Sequence, residues 1–377
     1  MIIDKMLRKE RLLLFAILSL LLIFVASRCT NSKPPKDQII EIPSAYGITD
    51  MVLIYHTYNS RPRWTPEQLK HYLYRENDDK IEWLFDGFLF LEIYATIDGV
   101  NYDYGIANND KIAPGKKEWE ILIKETFDNR RGPNALEIVL DSMVQKGYAP
   151  PYKRQVMFCI PNPQYGQNNW GNLNGENLNF SKSEDRLIAV NWYIDRILEE
   201  WNKKEYKYIE FAGFYWLHET IDFQYGDDEL IKGVQNILKE KNINLCWIPY
   251  YGADGADKWR DFGFNIAYQQ PNYFFDTKSP KEIITGALYF AYKYNLALEM
   301  EFDDKIEQPV YRERFYTYLD EFEKSGIWDN KPVAYYQGSD AWLKMATSDD
   351  IEIRKMYKTL GDILVKRNRK FSVIREN

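Results

Sequence analysis

LALEMEFD, Leu296–Asp303, is the stretch from which the fold can be read. Side chains alternate across a strand, so Leu296, Leu298, Met300 and Phe302 share one face, and Ala297, Glu299, Glu301 and Asp303 share the other. The aliphatic face suits packing beneath helices. The acidic face is costly to bury unless a cleft or hydrogen bonds solvate it. Such a strand belongs in a barrel with its acids turned toward an open end; a buried salt-bridge network is the alternative use for them.

Outward from this stretch, a short apolar run followed by a helix-like segment recurs along the chain. The runs are Met51–Tyr58, Phe85–Ala95, Gln155–Pro163, Tyr208–Glu219, Ile243–Tyr251, Phe264–Tyr273, Asn295–Asp303 and Pro332–Ser339. Helices are expected from Thr65, around Trp119–Gln145, and over Ser183–Trp201, Asp227–Lys241, Pro280–Tyr294, Gln308–Lys324 and Asp349–Lys366. The fifth run leads into Gly252–Asp257 (GADGAD). Eightfold strand–helix alternation predicts an α/β fold, a (β/α)8 TIM barrel with long loops at the C-terminal face of the strands. Thr96–Lys117 and Gln164–Phe180 are the longest polar excursions and are expected to rim a cleft.

Residues 1–29 read as a lipoprotein signal peptide: a basic front of Lys5, Arg8, Lys9 and Arg11, an apolar run Leu12–Ala26, then Ser27, Arg28 and Cys29. Cys29 is the expected lipidation site, and Arg28 departs from the small residue usual before such a cysteine; an uncleaved N-terminal anchor is the alternative. Residues 30–48, with Pro34, Pro35 and Pro43, form a tether, and 49–370 the barrel. The expected location follows: export across the inner membrane and a lipid anchor at the outer membrane. A net charge of -7 with no basic stripe argues against nucleic acid as a partner. Cys159 and Cys246 lie within predicted strands and read as buried thiols.

Acids at the C-terminal ends of the fourth and seventh barrel strands are the arrangement of a large group of sugar-cleaving barrels. Glu219 closes the fourth run, and Glu299 and Glu301 close the seventh. A retaining glycosidase needs two carboxyls in unlike surroundings, one protonated and one ionised. Glu219 is the expected acid/base and Glu301 the expected nucleophile, with Glu299 the second choice for that role. His218 and Tyr215 are expected beside Glu219. Other strand ends supply polar groups suited to sugar hydroxyls: His56, Glu92, Asn162, Tyr250, Tyr251, Asp254, Gln269, Gln270, Asn272, Tyr336 and Gln337. The three histidines lack metal-site spacing, so neither metal nor cofactor is expected, and a metal-dependent deacetylase is the weaker alternative.

The spacing from Gly213 to Glu219 resembles the strand-four motif of chitinase-type barrels. That motif has aspartates at the second and fourth positions after the glycine, where this chain has Tyr215 and Leu217. Their replacement argues against a mechanism in which the substrate's N-acetyl group is the nucleophile. The segments Tyr250–Phe275, Gly213–Glu219 and Leu298–Asp303 also resemble, as does most of the chain, an uncharacterised family of secreted bacterial proteins of the Bacteroides type. It is catalogued as domain of unknown function number four-eight-five-five. The resemblance implies a carbohydrate partner at the membrane, and no reaction. A glycoside hydrolase is therefore the expectation, with a noncatalytic glycan-binding surface lipoprotein as the rival.

Overall fold

The computed structural model describes residues 47–56, 61–106 and 111–375. The signal peptide, Cys29 and nearly all of the tether lie outside the described residues. Eight parallel strands close into one barrel. In chain order they are β1 (Asp50–Tyr55), β2 (Gly87–Leu91), β3 (Arg154–Ile160), β4 (Ile209–Trp216), β5 (Asn244–Trp247), β6 (Ile266–Gln269), β7 (Ala297–Glu301) and β8 (Val333–Tyr336). Each pairs with its sequence neighbours, and β1 pairs with β8 to close the ring.

Seven of the eight strands are followed by α-helices, beginning with Pro66–Leu73 after β1 and ending with Ile351–Arg375 after β8. The helical region after β2 is two helices, Lys116–Thr126 and Gly132–Gln145, not one. The β5 connection has a short 3-10 segment, Ala256–Phe262, in place of a full helix. Gly255 and Gly263 bracket it with φ of 82° and 91°, left-handed conformations that end a helix on both sides. The two polar excursions fold back as antiparallel hairpins, Tyr94–Ile97 with Val100–Asp103 and Gly171–Leu173 with Glu176–Leu178.

Strand β4 carries an irregularity that sets its phase. The pairing with β3 slips between Phe211 and Gly213, leaving Ala212 as an extra residue. Gly213 has φ +147°, and a Cβ there would lie 2.4 Å from the Asn244 carbonyl oxygen. Only glycine permits β4 and β5 to approach this closely at that point. Beyond the bulge, Tyr215 on the strand and Glu219 three residues past its end both turn toward the barrel mouth.

The barrel floor is a buried polar cluster. Asp50 accepts from Arg367 Nε at 2.7 Å and from the Tyr335 hydroxyl at 2.7 Å. Arg367 also donates to the carbonyls of Thr49 at 3.1 Å and Lys331 at 2.9 Å. Asp86 receives the backbone N–H groups of Thr49 and Asp50. The last helix is thereby fastened beneath the first strand. Cys159 and Cys246 are buried free thiols in the barrel wall.

Candidate active site

A cavity of about 240 Å³ opens among the C-terminal strand ends. Strand β7 contributes Glu299 and Glu301, which are 2% and 1% exposed, and the segment after β4 contributes the half-buried Glu219. The alternation read from LALEMEFD holds: Leu298, Met300 and Phe302 are wholly buried on the opposite face. Tyr215, Gln270 and Tyr336 complete the predicted residues that line this cavity. Its wall is aromatic, since Tyr336 meets Tyr55 edge-on at 5.8 Å and Phe275 edge-on at 5.4 Å. Leu53, Ile93 and Ile248 add apolar surface.

The three carboxyls have different surroundings. Glu301 Oε1 accepts the Asn272 N–H at 3.2 Å, and Oε2 accepts the Tyr273 N–H at 3.2 Å and the Tyr318 hydroxyl. Two successive backbone N–H groups on one carboxylate make an anion cradle, and Asn272 reaches it in the left-handed region at φ 57°. Arg314 fixes that loop by donating Nε to the Tyr273 carbonyl at 2.8 Å. Arg314 and Tyr318 stand one turn apart on the helix Pro309–Lys324, so a single helix grips both loop and carboxyl. Burial pushes the Glu301 carboxyl up to about 7, against the pull of those three donors.

Glu299 has no such cradle. Its Oε1 is buried without a hydrogen-bond partner among the described residues. Burial first, then the neighbouring Glu301 and Glu219, hold its carboxyl well above the usual carboxylate range. Burial also raises Glu219, while a hydrogen bond from the Gln270 side chain and the proximity of His218 pull the other way.

Several predicted residues stand elsewhere and serve the loops. His218 turns from the cavity, placing Nδ1 3.1 Å from Asp227, which also holds Arg186 at 2.6 Å. The His218 carbonyl accepts Trp247 Nε1 at 2.8 Å, which fixes the segment leading into Glu219. His56 is buried against Phe90 and lies 3.3 Å from Thr126 Oγ1; burial pushes its imidazole down to about 3. Glu92 is wholly buried and paired with Arg61 at 2.9 Å. Asn162 donates to the Gly105 carbonyl at 2.7 Å, and Gln269 to that of Pro249 at 3.2 Å. Gln337 joins the Leu53 carbonyl to Tyr72 and Trp342. Tyr250 bridges to Gln270, Tyr251 packs on Phe290, and exposed Asp254 donates its backbone N–H to Thr220 Oγ1.

The sequence reading passed over Tyr55, Phe275, Tyr318 and Arg314. Period-two spacing from Leu53 marks Tyr55 as inward-facing. The other three sit in a loop or on a helix flank, where no periodicity distinguishes them.

A family model described as "Domain of unknown function (DUF4855)" matches residues 50–362. No curated protein matches the chain. Among solved structures, the intracellular xylanase of Thermoanaerobacterium saccharolyticum is similar at 10% identity and a TM-score of 0.40, over 81% of this chain and 90% of that one. A double mutant of the Cellulomonas fimi endo-β-1,4-mannanase is similar at 11% identity and a TM-score of 0.43, over 84% and 71%. An α-amylase from Malbranchea cinnamomea is similar at 9% identity and a TM-score of 0.40, over 89% and 78%. The fold assignment rests on the closed parallel barrel itself.

Proposed function

The chain belongs to the DUF4855 family, and we propose that it is a retaining glycoside hydrolase acting on a polysaccharide or glycoconjugate. One observation carries this reading: Glu219 beyond β4 and Glu301 at the end of β7 line the same aromatic-walled cavity in unlike surroundings. Glu301, with three donors on its two oxygens, is the group best supported as an anion. Glu219 has one side-chain hydrogen bond and a raised carboxyl, as a proton donor requires.

In the proposed reaction a Glu301 oxygen attacks the anomeric carbon as the bond to the leaving oxygen breaks, and Glu219 gives its proton to that oxygen. Glu219 then takes a proton from the water that attacks the same carbon, and Glu301 departs as carboxylate. Tyr55, Phe275 and Tyr336 supply the ring faces and edges against which a pyranose packs. The expected membrane anchor at Cys29 would hold this site at the outer membrane.

The test is cleavage of a glycan panel by the protein and by its Glu219→Gln and Glu301→Gln variants. Turnover is expected to fall by about 10²–10⁴-fold in each, with glycan affinity kept within a few-fold. Binding without cleavage by the unaltered protein, insensitive to either substitution, would instead establish the glycan-binding lipoprotein.

A further inference from the structure

We propose that the sugar entering this cavity carries a free ammonium group, that of an unacetylated amino sugar, and that Glu299 receives it. The inference rests on the reading of the cavity as a sugar site and narrows it to one substrate class. Three carboxyls line the cavity, and among the described residues none of those lining it is Lys, Arg or His. The two cations that approach its wall stand behind aromatic rings and are already paired. Arg61 lies 4.9 Å from the Tyr55 ring centre and is bound to Glu92. Lys305 lies 5.6 Å from the Phe275 ring centre and 3.6 Å from Asp303.

The second observation is the state of Glu299. It is 2% exposed, it lines the cavity, and its Oε1 has no hydrogen-bond partner among the described residues. An acceptor so placed lacks a donor that the protein does not supply. Glu301, two residues on, has both oxygens engaged. An ammonium supplies the missing donor together with a positive charge that favours ionisation of the acids around it. The rings of Tyr55, Phe275 and Tyr336 suit the same group, because aromatic faces attract cations. A neutral or N-acetylated sugar supplies a donor but no charge, and a uronate adds repulsion.

The ionisable groups that face Glu299 are Glu301 on its own strand, Glu219 beyond β4, the phenols of Tyr55, Tyr318 and Tyr336, and the Cys246 thiol on β5. Tyr215 on β4 faces it as well. The phenols and the thiol are held neutral by burial, so the carboxyls are the groups whose ionisation a ligand can change. An arriving ammonium favours their ionised form, and binding therefore releases protons.

The experiment is titration calorimetry of the full chain with three β-1,4 disaccharides: that of glucosamine, its di-N-acetylated form, and cellobiose. The glucosamine disaccharide is expected to bind about tenfold tighter than either other sugar near pH 7. It should release protons, seen as a buffer-dependent enthalpy, and its advantage should shrink near pH 5, where ionising the carboxyls costs more. Glu299→Gln should cut the advantage to about threefold or less; should that variant fail to fold, the three-sugar comparison and the proton release decide. Equal or tighter binding of the neutral or acetylated sugar, absence of proton release, or no binding of any of the three overturns the proposal. Cleavage of the neutral sugars without an amine preference overturns it while leaving the hydrolase reading intact. Amine preference without cleavage of any sugar does the reverse.

Discussion

The Tyr318 hydroxyl, carried by a helix outside the barrel, donates to the carboxylate of Glu301 at the mouth of β7. This hydrogen bond lowers the Glu301 carboxyl, which burial otherwise raises. In Tyr318→Phe the carboxyl keeps two backbone donors and loses the third, so it should titrate above its present value of about 7. The acid limb of the rate profile is expected to move upward, lowering kcat/KM near pH 6 by up to about tenfold with KM little changed. A profile superimposable on that of the unaltered protein would remove Tyr318 from the ionisation of this site.

Glu301 also makes stability depend on pH. Its carboxyl titrates near 4.5 when unperturbed and about 7 in the fold, so between these values the folded state binds more protons. Its contribution is therefore present in full below 4.5 and is lost as pH rises toward 7. Glu301→Gln removes this dependence. The variant should gain stability relative to the unaltered protein between about pH 5 and 8, by roughly 3 kcal/mol, from about 1.4 kcal/mol for each pH unit of the interval. Thermal unfolding of both proteins across that range measures the difference, and parallel curves would contradict it.

Gly213→Ala places a methyl group 2.4 Å from the Asn244 carbonyl oxygen, backbone against backbone, at a φ of +147°. Neither strand gives way without disturbing its ladder. A loss of roughly 2–4 kcal/mol is expected, read as a lower denaturant midpoint. Because the bulge sets the phase of Tyr215 and the course of the segment that carries Glu219, activity should fall further than the loss of folded protein explains. A variant of unchanged midpoint would show that β4 and β5 can separate here at little cost.

Arg186 and Asp227 are both about 2% exposed and lie 2.6 Å apart, with His218 on the far oxygen of the acid. Arg186→Leu leaves that acid buried without its guanidinium, with only the His218 ring and the Asp222 N–H beside it. A destabilisation of about 3–5 kcal/mol is expected. Replacing both Arg186 and Asp227 by apolar residues of similar volume should recover much of it. A double variant no better than the single one would indicate that Arg186 acts through its bonds to the Pro163 and Tyr225 carbonyls instead.

The barrel was legible because its signal is repeated and local: each strand is a run of apolar residues bounded by turns, and β7 announces its two faces in eight letters. Glu299 and Glu301 were legible for the same reason. The other strand-end residues divided along a line that sequence does not draw. A polar side chain at a strand terminus answers either a ligand or a loop carbonyl that must be paired. Gln270 and Tyr336 face the cavity, whereas Asn162, Gln269 and Gln337 bond loop and strand carbonyls. Tyr318 was illegible because its importance depends on the direction in which one turn of a helix leans over the barrel rim. Gly213 stood within the motif that was read, yet its use is a close approach to a strand some thirty residues away, which no spacing within β4 reveals.

Arg367 lies five residues beyond the last position of the family match, and yet it neutralises Asp50 on the first strand. A protein trimmed at Asp362 to fit the family boundary would strand that aspartate without its cation and leave the carbonyls of Thr49 and Lys331 short of a donor. The keystone of this ring is laid last, so expression work that respects the catalogue more than the chemistry should yield insoluble material.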